Sequence, residues 1–213
     1  SLKQTSIRRN QHVSPISVLC TIGNTIFSAD EDGIIANDVA VSSLYHKCPI
    51  VSMSGSAYLS ILVSLSADGN IVISNAYDLE FIRSIKPELP TGFSPFKVVV
   101  GDGFGLITMA AISKDKTKSF ITTFSINGQK VGASLLNFKI KEIISATGTN
   151  NVDYLILNVD KGKVLLYDTF QMTLVNTIYE NDQNIKLLAF FKDLNYQIYL
   201  SCDGTLKYGT LSI

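Results

Sequence analysis

The feature that most constrains this chain is a set of turn signals returning every few tens of residues. His12-Val13-Ser14-Pro15-Ile16 recurs 34 positions later as His46-Lys47-Cys48-Pro49-Ile50. Each copy runs into an apolar stretch and then an Asp-Gly turn, Ser28-Ala29-Asp30-Glu31-Asp32-Gly33 and Ser64-Leu65-Ser66-Ala67-Asp68-Gly69, with glycines 36 apart. Farther on, Ile140-Lys141-Glu142-Ile143-Ile144 is echoed by Ile185-Lys186-Leu187-Leu188. Asp160-Lys161-Gly162 is echoed by Asp203-Gly204, and the unit from Phe96 to about Asn137 lacks an Asp-Gly turn. A fixed period of this size marks a stack of equal supersecondary units.

Each unit reads as three or four short strands. In the second they fall at 50–54, 60–66, 70–75 and 81–86, and in the fourth at 141–146, 154–159, 163–167 and 174–179. These runs are rich in Ile, Val, Leu, Tyr and Phe and punctuated by Gly, Asn and Asp. No helical apolar stripe interrupts them. The turns pairing Asp32 with Gly33, Asp68 with Gly69, Asp160 with Gly162 and Asp203 with Gly204 suit tight hairpins, because primed turns need positive φ.

Four short strands per unit predict an all-β propeller of about five four-stranded blades, near 10–44, 45–90, 91–138, 139–181 and 182–213. Residues 1–9 are expected to supply the outer strand of the last blade, covering an open edge. A two-sheet sandwich also gives short strands and regular turns. It leaves the repeated H-x-x-P-I and the matched Asp-Gly turns unexplained.

Composition narrows the function classes. Lys+Arg and Asp+Glu are both 18, so the basic excess of a nucleic-acid binder is missing. Cys20, Cys48 and Cys202 form no CxxC or Cys/His cluster, which points to reduced thiols rather than a disulfide framework or zinc site. No apolar run approaches the ~20 residues of a membrane span, and the N-terminus shows no signal-peptide core.

The candidate chemistry reads as structure. Gly101-Asp102-Gly103-Phe104-Gly105 suggests a phosphate loop, but a strand-like stretch follows where a helix start is needed. A wide hairpin loop is expected there. Asp30-Glu31-Asp32-Gly33 lacks the glutamate that completes a calcium loop, so a turn with an exposed acidic tip is expected. Ser54-Gly55-Ser56 reads as a turn and not a nucleophile elbow. His12 and His46 stand at equivalent repeat positions, which suits a repeated structural role. Lys114-Asp115-Lys116-Thr117-Lys118 is a charged hairpin tip, by default solvated and otherwise a contact for a partner or lipid headgroup.

On these residues the chain resembles the WD-repeat family. His12 and His46 match the family's strand-a histidine, Ser64 to Gly69 its turn, and Tyr167-Asp168 its Trp-Asp, although the chain has no Trp. From about Ser52 onward the order is similar to the C-terminal propeller of BEACH-domain trafficking proteins. The similarity rests on Asp78 to Ile85, Thr123-Phe124-Ser125-Ile126-Asn127-Gly128-Gln129-Lys130 and the strand 163–168. The resemblance implies a non-catalytic, cytoplasmic scaffold that binds proteins through its loops, without cofactor or metal, and reaches membranes only through a larger parent. It also implies a ring of more blades, such as seven. The alternative is an enzyme or ligand-binding propeller using its central channel. The apolar, small first strands (16–20, 50–54, 98–100, 143–146 and 185–189) argue against that alternative.

Overall fold

A computed structural model describes residues 12–42, 45–180, 185–191, 197–202 and 205–210, the side chains of 185–202 excepted. Among the described residues nineteen strands form five antiparallel meanders. The first comprises β1 (Ile16–Ile22), β2 (Thr25–Asp30), β3 (Ile35–Ala36) and β4 (Val41–Ser42), and the second β5 (Ile50–Ser56), β6 (Ile61–Ser66), β7 (Ile71–Asn75) and β8 (Phe81–Ile85). The third has β9 (Phe93–Val100), β10 (Ile107–Ser113), β11 (Ser119–Phe124) and β12 (Lys130–Leu136). The fourth has β13 (Ile140–Thr147), β14 (Asp153–Val159), β15 (Lys163–Asp168) and β16 (Leu174–Glu180), and the fifth β17 (Ile185–Phe191), β18 (Gln197–Cys202) and β19 (Thr205–Thr210).

Five four-stranded units were expected; four sheets have four strands and the fifth has three among the described residues. The outer strand expected from residues 1–9 lies outside the described residues, as do Asp203 and Gly204. Ser54-Gly55-Ser56 is a correction. It completes β5 and does not turn, because all three residues pair with Val63, Leu62 and Ile61 of the next strand; Gly55 leaves room for the Ile22 side chain.

Innermost strands meet in chain order, β1 beside β5, β5 beside β9, β9 beside β13 and β13 beside β17. The core lies between sheets. Ile61, Val63, Leu65, Ile71 and Ile73 of the second blade pack against Val98, Val100, Ile107 and Met109 of the third. Leu62 faces the other way, toward Phe27 and Ala29 of the first. Every residue of β6 is therefore buried, so its sequence shows no alternation. Each fully buried Leu or Ile contributes about 1.5–3 kcal/mol. The outer strands β8 and β16 are largely exposed.

Serine hydroxyls stitch the innermost strands together. Ser17 Oγ donates to the Ile50 carbonyl (3.0 Å), and Ser52 and Ser54 accept from the Val98 and Val100 amides (3.1 and 3.2 Å). Ser145 donates to the Val100 carbonyl at 2.6 Å. These four serines of the innermost strands are thus engaged by backbone at the blade seams.

Candidate functional site

A meander exposes two loop faces. One carries the turns between second and third strands together with the leads into each first strand. The other carries the first-to-second and third-to-fourth connections.

On the first face, a backbone bond pins the lead to the turn in the second, third and fourth blades. The Ala67 amide donates to the Pro49 carbonyl (2.9 Å), Lys114 to Gly92 (2.9 Å) and Asp160 to Lys139 (3.1 Å). Gly33, Gly69 and Gly162 hold φ of +82°, +86° and +65°. The unit without Asp-Gly makes the same turn with Lys116 at φ +59°. There Ser113 donates to Asp115 as Ser66 does to Asp68. The spacing Ser-x-Asp, shared by both units, was the overlooked signal.

Asp68 accepts from Ser66 Oγ and the Asn70 amide, and the Ser66 hydroxyl holds its carboxyl below the usual range. Gly69→Val forces a β-branched residue to positive φ and presses on Leu89. It is expected to cost about 2 kcal/mol, and Asp68→Ala about 1 kcal/mol, in urea unfolding. Two variants that unfold like the parent would refute the turn assignment.

The expected exposed tip is exposed only at Glu31 and Asp32; Asp30 is fully buried. Asp30 accepts from the Asp32 and Ile34 amides (3.0 and 2.9 Å) and faces His12 Nδ1 at 2.9 Å. His12 Nε2 stands 2.7 Å from Ser28 Oγ, and His46 Nε2 2.7 Å from Ser64 Oγ. The Ser28 and Ser64 hydroxyls turn to the carbonyls of Ala36 and Val72 on the third strands.

In the first, second and fourth blades the second face is built by the short polar residue at the end of the third strand. Asn37 Oδ1 accepts from the Val39 amide (2.8 Å), Asn75 from Tyr77 (2.7 Å) and Asp168 from Phe170 (2.7 Å). Asn37, Asn75 and Asp168 thus make the same turn, although only Asp168 is matched from sequence. The residue two places on projects outward, giving Val39, Tyr77 and Phe170 at matching positions. Tyr58 and Phe104 join them from the other loops of this face. Tyr58, Tyr77, Phe104 and Phe170 are 81%, 70%, 60% and 59% exposed.

The glycine-rich loop lies on this face, between β9 and β10, and it does hold an anion. The Gly103 and Phe104 amides donate to the Asp153 carboxylate of the next blade at 2.8 and 2.9 Å. Thr147 Oγ1 donates to the same group at 2.9 Å. The cradle that could have held a phosphate is filled by the protein's own side chain.

Burial pushes the Cys20 thiol up to about 11, so it is not a thiolate at neutral pH. Among the described residues no three His, Cys, Asp or Glu side chains gather as a metal site, and no helix is long and apolar enough to cross a membrane.

No protein-family model matches the chain, and no curated protein sequence matches it. Solved structures do resemble it. The computationally designed Ika8 protein superposes with a TM-score of 0.61 at 18% identity, over 94% of this chain and 59% of the designed one. The β-propeller domain of Cps50 (Swd1) from Myceliophteria thermophila gives a TM-score of 0.64 at 12% identity, over 90% of this chain and 63% of that one. The chain thus spans about three fifths of each structure's length, and its fold is that of a β-propeller.

Proposed function

We propose that this chain is a non-catalytic protein-interaction platform, of the kind found in the propellers of BEACH-like trafficking scaffolds. The observation that carries the reading is the set of exposed aromatics Tyr58, Tyr77, Phe104 and Phe170 on one loop face. Large aromatics held in water on rigid loops cost solvation, and they are the side chains that anchor protein interfaces. The loops beneath them are fixed by interblade contacts. Asn37 Nδ2 donates to the Ala76 and Tyr77 carbonyls (3.1 and 2.8 Å), and Leu59 reaches toward Gly105. Such a surface loses little entropy on docking. The strand-a serines, bound into the seams, support a non-catalytic channel. The trafficking reading rests on the sequence resemblance around Thr123 to Lys130 and predicts cytoplasmic partners from vesicle transport.

The test is photo-crosslinking in cells from a probe replacing Tyr58. Discrete protein adducts are expected, reduced at least about tenfold by Tyr77→Ser with Phe170→Ser. Those exposed substitutions should leave unfolding stability within about 0.5 kcal/mol. Adducts indifferent to the aromatics, or none, would refute the platform. Adducts with proteins outside vesicle transport would refute its finer assignment.

A further inference from the structure

We propose that a cavity between the third and fourth blades, on the face opposite the aromatics, binds an acidic protein segment that sets one apolar side chain on the cavity floor. The inference rests on the platform reading only in taking the ligand to be a protein.

The cavity measures about 600 Å³, within the range of pockets that enclose a side-chain-sized ligand. Its cationic wall comes from two segments far apart in sequence. Lys114 and Lys116 stand on the turn between β10 and β11, and Lys139 and Lys141 flank Ile140 at the start of β13. Pro95, Phe96, Ile112 and Ile140 supply apolar lining, and among the described residues no carboxylate lines the cavity.

A chain with equal numbers of acidic and basic residues does not gather four lysines around one concavity by composition. The nearest carboxylate in sequence, Asp115, is turned into its own hairpin. It accepts from Ser113 Oγ, the Thr117 amide (3.1 Å) and Thr117 Oγ1 (2.8 Å), and these bonds hold its carboxyl at about 2. Glu142, next to Lys141, accepts from Asn158 Nδ2 at 2.9 Å. These bonds fix the two carboxylates in place without removing their charge. Lys114, Lys116 and Lys139 outnumber them, so the wall presents a net positive field, which an incoming anion lowers in energy.

The wall is also preorganised. The Lys114 amide is fixed to the Gly92 carbonyl and the Lys116 amide to the Ser113 carbonyl at 2.8 Å. A second cavity of about 380 Å³, lined by Lys161, Lys163 and the carboxylate-bearing Asp160, lies beyond the same lead at Asn137 and Phe138. Lys163 is paired there with Glu180.

The mixture of lining selects the ligand class. A nucleic acid needs a phosphate track with aromatic stacking platforms, and among the described residues Phe96 is the cavity's only aromatic. A bilayer surface needs apolar groups on a protruding rim, whereas these line a concavity. Carboxylates alternating with an apolar side chain match both parts of the lining.

The experiment is fluorescence anisotropy with a fluorescein-labelled peptide of glutamates and aspartates around one leucine. Saturable binding that weakens with salt is expected. Lys114→Glu with Lys116→Glu and Lys139→Glu should weaken it at least about tenfold, and the Lys→Arg counterparts should retain it. Replacing the peptide's leucine by serine should weaken binding about threefold to tenfold. Equal binding by the reversed-charge protein, or equal binding of the serine peptide, overturns the proposal. So does binding to phosphatidylserine vesicles without binding to the peptide. Identical melting curves for parent and variants ensure that loss is not unfolding. The peptide assay involves neither the aromatic face nor a cellular partner. Its failure beside successful crosslinking at Tyr58 removes the acidic-segment site alone.

Discussion

Asp153→Ala is expected to lower the free energy of unfolding by about 3–5 kcal/mol, which for a chain of this size lowers Tm by roughly 6–20 °C. Asp153 is only 2% exposed, and its carboxylate receives the Gly103 amide, the Phe104 amide and the Thr147 hydroxyl. Alanine leaves those donors without their acceptor and opens a cavity at a blade seam. The glycines are equally committed. A side chain at Gly101 would fall on the carboxylate, and one at Gly103 on the Asn151 carbonyl. Asp153→Asn keeps the shape but presents one oxygen, so it should cost about half as much. Urea unfolding of both variants decides the matter. A loss below about 1 kcal/mol for alanine would show that the loop does not depend on the carboxylate. Because Phe104 is held by the same bond, the alanine variant should also weaken crosslinking at the aromatic face.

The repeat made the fold legible, because blade geometry demands the same turn at the same place each time. The strands expected at 50–54 and 163–167 appear as Ile50–Ser56 and Lys163–Asp168. What stayed hidden is what different residues do alike. Lys116 replaces Gly at positive φ, and Asn37 and Asn75 replace Asp as caps. The pairing of Asp153 with a loop 49–50 positions away is a contact across a seam, without a local pattern to announce it. The aromatic face was hidden for a related reason. Tyr58, Tyr77, Phe104 and Phe170 look unrelated along the chain and share an end only after three meanders are stacked. The lysine cavity was half visible. The tip at Lys114 to Lys118 could be read from sequence, but its meeting with Lys139 and Lys141 depends on the third and fourth blades being neighbours.

Acid should destabilise the protein through His46 before its carboxylates titrate. His12 and His46 occupy the same place in successive blades, and His12 Nδ1 faces the Asp30 carboxylate. In the second blade Ser66 stands where Asp30 does, and its hydroxyl turns to Asp68 instead. His46 Nδ1 is left buried without a hydrogen-bond partner. Protonation would put a cation there with nothing to receive its N–H. Burial accordingly pushes the ring from its ordinary 6.5 down to about 4, with Asp68 pulling it part of the way back. The unfolded chain takes up the proton as pH falls through 6.5, whereas the folded chain refuses it until about 4. Between those values the unfolded state binds more protons, so stability falls as pH falls; the full loss is about 3 kcal/mol. Carboxyls held low, such as those of Asp68 and Asp115, give up their stabilisation only below their ordinary 3.8 and leave this window clear. Urea unfolding near pH 7 and near pH 4.5 should show the parent losing about 2 kcal/mol more than His46→Asn, whatever the variant's own cost at neutrality. Ser66→Asp restores the first blade's carboxylate beside the ring and should shrink the loss. Parallel losses in parent and His46→Asn would mean that the orphaned nitrogen finds a partner in solution and that another group carries the acid sensitivity.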